Sequence, residues 1–138
     1  MKKHSILVAL LLIGTIAGQA QTPDYKVVFD MTNKDTSSHK TVIRQTSGIA
    51  KSSPGAQLEV VIYSGALDMV VQGKSVVSDA VQELIKNKQA TFKVCEVTMK
   101  RHNIDKSQLI PGVEVVPDGI YEIITRQRQG WGYIKVGN

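Results

Sequence analysis

The chain has one cysteine among its 138 residues, so no disulfide can form within it and the fold rests on its core. Histidine is nearly as scarce. Beyond the first twenty residues only His39 and His102 remain, and neither stands at ligand spacing to the other or to Cys95, which argues against a metal site. Aromatic residues make up 5%, and the net charge is +5, of which Lys2 and Lys3 supply two. So weak a basic balance with so few rings argues against a dedicated nucleic-acid binder. No apolar run reaches the roughly 20 residues that a membrane-spanning helix needs. The longest, residues 6–17, follows Lys2 and Lys3 and precedes Gly18-Gln19-Ala20. It reads as the h-region of a secretory signal, and no cysteine follows that would carry a lipid anchor. The sequence therefore predicts a signal peptide over residues 1–20 and one domain over 21–138. The processed protein is expected in the periplasm or outside the cell, with no stable membrane insertion.

What is present is an alternation of strand and helix signals. Tyr25, Val27, Phe29 and Met31 share one face of a first strand, with Val28 on the other. Val42, Ile43, Thr46, Ile49 and Ala50 recur at helical spacing until Ser52-Ser53-Pro54-Gly55 stops the pattern, with Asp35 or Thr36 as N-cap. Leu58 to Tyr63 form a nearly continuous apolar run, the signature of a strand buried on both faces. Ser64-Gly65 ends it, and residues 66–72 supply one or two helical turns. Val77, Ala80, Val81, Leu84 and Ile85 describe a second amphipathic helix. A third strand runs to Cys95 and a short helix follows at once. Residues 113–116 make a brief strand, and Asp118 caps a helix in which Ile120, Ile123 and Ile124 lie on one side. Gly130 stands at its C′ position and residues 131–136 form the last strand. This order predicts parallel βαβ units: a three-layer α/β/α sandwich around a mainly parallel five-stranded sheet.

In open parallel sheets, ligands bind beyond the carboxyl ends of the strands. Those ends are Thr32-Asn33, Ser64-Gly65, Cys95-Glu96 and Pro117-Asp118. Asn33, Ser64, Gly65 and Glu96 are therefore the candidate binding residues, and Cys95 the candidate nucleophile. A thiol at a strand-to-helix junction meets orphan backbone N–H groups that favour a thiolate, whereas the neighbouring Glu96 carboxylate opposes it. On residue type alone, Cys95 is equally readable as a small packed hydrophobe. His102 lies about two helical turns, ~10 Å, from Cys95, too far for a catalytic dyad within one helix. His39 reads as a plain surface histidine. Gly73-Lys74-Ser75 lacks the earlier glycine and the leading strand of a phosphate-binding loop. Lys100, Arg101 and His102 read as a solvated helix end.

Taken together, the Ser64-Gly65 turn, the Val94-Cys95-Glu96 junction with Thr98-Met99-Lys100-Arg101-His102-Asn103-Ile104, the segment Leu-Ile-Pro-Gly-Val-Glu-Val-Val-Pro over 109–117 and the closing Gln-Gly-Trp-Gly-Tyr-Ile-Lys over 129–135 carry a resemblance. The chain resembles the DsrE/DsrF-like family, sulfur-relay proteins of the DsrE, TusD and YchN kind, as an exported member. The resemblance implies assembly into a homotrimer or homohexamer. It also implies a cysteine, here Cys95, that accepts sulfur as a persulfide from a donor protein and hands it to an acceptor protein, without cofactor or metal. Two alternatives stay open from the residues alone: a non-catalytic oligomeric binding module, and a thiol redox sensor.

Overall fold

A computed structural model describes residues 24–137, so the signal peptide assigned to residues 1–20 lies outside the described part. Five strands alternate with helices in the expected order. They are β1 (Lys26–Met31), β2 (Gln57–Ile62), β3 (Thr91–Cys95), β4 (Glu114–Val116) and β5 (Gly132–Val136). The helices are α1 (Thr36–Ser52), α2 (Ser78–Lys86), α3 (Glu96–Arg101) and α4 (Gly119–Arg128). The turns after β2 form a 3-10 helix, Ser64–Val70. All strand pairs are parallel and the order is β4-β3-β2-β1-β5, so β1 and β2 lie centrally and the carboxyl ends share one edge. Among the described residues, no helix is long and apolar enough to cross a membrane.

Strand alternation sends side chains to two faces of different character. Val27, Phe29, Met31, Leu58, Val60, Ile62, Phe92 and Val94 point to one face. There Val42 of α1, Val81 and Leu84 of α2, Met99 of α3 and most of the 3-10 helix close an apolar core over them. The other face presents Val28, Asp30, Glu59, Val61, Lys93 and Cys95, and α4 packs against its three central strands. Its apolar core is small: Val28, Val61 and Ile123, flanked by Tyr63 and Trp131.

The isoleucine stripe predicted for α4 is corrected here. Ile123 is buried, whereas Ile120 and Ile124 are 55% and 40% exposed. The spacing i, i+3, i+4, i+7 that meets the sheet is Gly119, Glu122, Ile123 and Arg126, because the strands below offer charged partners. Lys93 Nζ lies 2.8 Å from Glu122 and 3.2 Å from Glu59, and Arg126 pairs with Glu59 at 2.8 Å. Arg126 also lies 4.8 Å over the Trp131 ring, a cation–π contact. Burial raises the Glu59 carboxyl against the pull of Arg126 and Lys93. For Glu122 burial pushes the same way, but hydrogen bonds from Lys93 and Glu59 prevail and lower it. The two carboxyls thus share the same two cations, Lys93 and Arg126, and are shifted in opposite directions by them and by burial.

His39 is a second correction. It is buried, and its Nε2 donates to the Asn33 carbonyl at 3.0 Å. One turn into α1, this side chain ties the helix back to the loop that leaves β1.

Candidate functional site

Cys95 is the last residue of β3 and the N-cap residue of α3, where the sequence placed it. Its side chain shares a sheet face with Lys93, opposite to Val94, and so lies on the α4 side. It is 6% exposed. The roof over it comes from the first turn of α4. A Cβ built on Gly119 would stand 3.3 Å from Cys95 Cβ, 3.3 Å from Val61 Cγ1 and 3.4 Å from Tyr63 Cδ1. Asp118 fixes that turn, its carboxylate accepting from the N–H groups of Ile120 at 2.8 Å and Tyr121 at 3.2 Å. Two helices thus begin at the thiol, α3 in sequence and α4 in space. The sequence revealed only the first of these.

The candidate binding residues gather at the same edge. Asn33 Oδ1 accepts from the Asp35 N–H at 3.0 Å, shaping the loop after β1. A Cβ on Gly65 would lie 3.1 Å from the Thr32 carbonyl and 3.4 Å from Lys34 Cβ, so the turn after β2 packs directly against that loop. Ser64 has φ +55, a left-handed conformation that costs a non-glycine residue about 1 kcal/mol or more. Its N–H donates to Thr98 Oγ1 of α3 at 3.0 Å, which holds it there. Glu96 is half-exposed, and its carboxylate pairs with Lys100 one turn along α3 at 3.0 Å. The acidic group expected to oppose a thiolate thus has a cation as its own partner.

On the same sheet face, with Tyr63 between it and Cys95, lies a polar cluster that the sequence reading missed. Asp30, 5% exposed, accepts from Tyr133 Oη at 2.6 Å and from Lys135 Nζ at 3.1 Å. Lys135 also donates to Thr32 Oγ1 at 2.7 Å and sits 5.9 Å over the ring of Tyr63. Burial first, and then the Asp30 carboxylate, hold the Tyr63 hydroxyl protonated far above the ordinary tyrosine range. The hydrogen bond to Asp30, followed by burial, pushes Tyr133 up to about 12. The signal in sequence was a lone carboxylate inside the apolar run Val27-Val28-Phe29-Asp30-Met31, and a glycine at the first position of a helix.

Size alone would direct attention elsewhere. A cavity of about 540 Å³ opens at the opposite end of β2 and β3, lined by Leu58, Glu59, Thr91, Lys93, Arg126 and Trp131. Three of its charged side chains, Glu59, Lys93 and Arg126, already pair with one another, and it contains no thiol. The carboxyl edge, by contrast, gathers the thiol, two helix N-termini and the Asp30 cluster.

With this geometry in hand, comparison with known proteins is informative. Residues 26–136 match the model of the DsrE/DsrF-like family. A protein of unknown function from Methanobacterium thermoautotrophicum, MTH1491, is 31% identical; the alignment covers 81% of this chain and 99% of that one, with a TM-score of 0.76. The ychN protein from E. coli shares the fold at 15% identity, covering 80% of this chain and 97% of that one, with a TM-score of 0.68. No curated protein matches.

Proposed function

Because the chain belongs to the DsrE/DsrF-like family, a family known for sulfur relay, we propose that it is an exported sulfur carrier in which Cys95 holds the sulfur. The observation that carries this reading is the place of Cys95: a single thiol at the carboxyl edge of a parallel sheet, capping α3 and lying under the first turn of α4. Helix N-termini favour a developing negative charge on sulfur. The Cys95 thiolate attacks the outer sulfur of a donor persulfide, the donor S–S bond breaks, and the donor leaves as a thiolate. The persulfide on Cys95 then yields its outer sulfur to an acceptor thiolate by the same displacement. Electrons balance without an external oxidant, and no second cysteine is needed.

Self-association fits the same reading. Val97 of α3 and Ile120, Tyr121 and Ile124 of α4 are exposed apolar side chains on the two helices that begin at Cys95. A homotrimer or homohexamer that covers them would shield the edge where sulfur is held. Light scattering that finds a monomer across a wide concentration range removes this part of the reading.

The burial of Cys95 favours a second reading, a non-catalytic oligomeric module in which the thiol is packing alone. Incubation of the folded protein with a persulfide donor, followed by intact mass measurement, separates the two. The carrier gains one sulfur atom per chain and Cys95→Ser does not, with fold and assembly retained. A wild-type protein that never gains sulfur leaves the module reading in place.

A further inference from the structure

The helices on one face of the sheet share a single continuous apolar core, and α4 on the other face does not. Its own apolar seat is Ile123 on Val28 and Val61, with Tyr63 and Trp131 at the margins. Towards its last turns the packing stops, because the cavity of about 540 Å³ is lined there by Glu59, Lys93, Arg126 and Trp131. What fastens the helix besides Ile123 is charge: Glu122 to Lys93, and Arg126 to Glu59. The side chains of Lys93, Glu122 and Arg126 are 12% to 23% exposed, so water already reaches these pairs. Seating α4 also leaves Glu59 Oε1 buried with no donor among the described residues, an unfavourable arrangement that water would relieve if the helix lifted. Lifting need not unravel α4. Asp118 caps the N–H groups of its own helix, and Arg126 also pairs with Glu122 and Gln129 along it. The helix joins its neighbouring strands through the extended Asp118 and through Gly130 at φ +83.

We infer that α4 is a lid: it lifts from the sheet as a folded unit while β1, β2 and β3 stay paired, and in lifting it uncovers Cys95. The thiol is buried, and the first turn of α4 packs directly on its Cβ at Gly119, so reagents reach it through this opening and not through unfolding of the whole domain. Lifting gives up the burial of Ile123 and the pairs that Glu122 and Arg126 make with the strands. It hydrates Glu59 Oε1 and the two cations, leaves Lys93 paired with Glu59, and does not open the core on the opposite face. The inference concerns access to the α4 face and holds whether or not Cys95 carries sulfur.

The test reads two rates on the folded protein. Native-state hydrogen exchange, followed over minutes to hours, should show the amides of residues 122–128 exchanging at least about 100-fold faster than those of β1 and β2. Alkylation of Cys95 by iodoacetamide should be slowed, relative to the unfolded chain, by the same factor that protects the α4 amides. Ile123→Ala weakens the seat of α4 and should speed both rates by about tenfold or more. Phe92→Ala, in the opposite core, should lower global stability and leave both rates near those of wild type. Should either variant fail to fold, Ile123→Val or Phe92→Leu takes its place. Amides of α4 as well protected as those of β1 and β2 overturn the inference. A Cys95 that alkylates as fast as in the unfolded chain, or at a rate that Ile123→Ala leaves unchanged, overturns it too. So does a Phe92→Ala protein in which both rates rise as much as in Ile123→Ala, since global unfolding is then the route to the thiol. Sulfur uptake enters none of these readings, so the carrier reading stands or falls separately.

Discussion

The two faces of the sheet are built from the same strands and solve different problems. On the face covered by α1, α2, α3 and the 3-10 helix, Phe29, Val60, Ile62, Phe92 and Val94 interdigitate with apolar residues from every covering element. On the α4 face the same strands offer Asp30, Glu59, Lys93 and Cys95, and the helix answers with Glu122, Arg126 and a glycine. One face holds the sheet together without specificity of charge. The other spends little area on apolar burial and fixes polar groups and a thiol in set positions. Apolar packing and polar placement have been separated by the pleat, one residue apart along each strand.

Mutations should make that separation measurable. Phe92→Ala on the apolar face should cost about 3–5 kcal/mol, since a fully buried ring leaves a cavity in a core closed on all sides. Denaturant unfolding checks it, and an equal loss for Ile123→Ala under α4 would erase the contrast drawn here. Glu59→Ala should come next, at about 3 kcal/mol, because it leaves two cations, Lys93 and Arg126, to the single carboxylate of Glu122 beneath α4. Glu59→Gln, which keeps the shape of the side chain and an oxygen for Arg126 and Lys93, should cost distinctly less. If the two variants are equally unstable, the negative charge of Glu59, and not its shape, is what steadies α4 here.

A smaller effect concerns pH. Tyr133 titrates at about 12 in the folded protein, above the ordinary tyrosine value. Its neutral hydroxyl therefore adds stability that is fully present below about pH 10, where the unfolded chain titrates, and is lost as pH rises through about 12. Asp30→Asn should return Tyr133 towards the ordinary range in an absorbance titration. An unchanged titration curve would show that the carboxylate is not what holds the proton. Smallest of all should be Lys100→Ala, which removes the exposed pair with Glu96 and should cost about 0.3–0.5 kcal/mol. A loss above about 1 kcal/mol would mean that α3 depends on this pair far more than a surface contact allows.

The same contrast explains what could be read beforehand. Strands that face the apolar core advertise themselves: Leu58 to Tyr63 reads as buried on both sides because five of its six residues are apolar. The junction at Cys95 was equally legible, since strand and helix patterns meet there without a loop. The α4 face was not. Isoleucines at 120 and 124 look like a buried stripe by composition, and only the partners Glu59 and Lys93, far away in sequence, turn Glu122 and Arg126 inward. His39 looked exposed for the same reason, because its acceptor is a backbone carbonyl that no residue letter displays. Gly119 reads as an ordinary helix start until the third strand is brought beneath it.

One further consequence follows from the strand order. β5, last of the five along the chain, pairs with β1, the first, from Val27 opposite Gly132 to Met31 opposite Val136. A ribosome delivers β1 early, yet one flank of that strand stays without its hydrogen-bonding neighbour until β5 emerges, so closure of the sheet is a long-range event that comes late in synthesis. Asp30 has to wait with it, because Tyr133 and Lys135 arrive on β5. The charged cluster at the thiol's edge of the sheet is therefore assembled by the same step that completes the sheet, and a chain interrupted before residue 132 would possess its cysteine but not the Asp30 cluster of that edge.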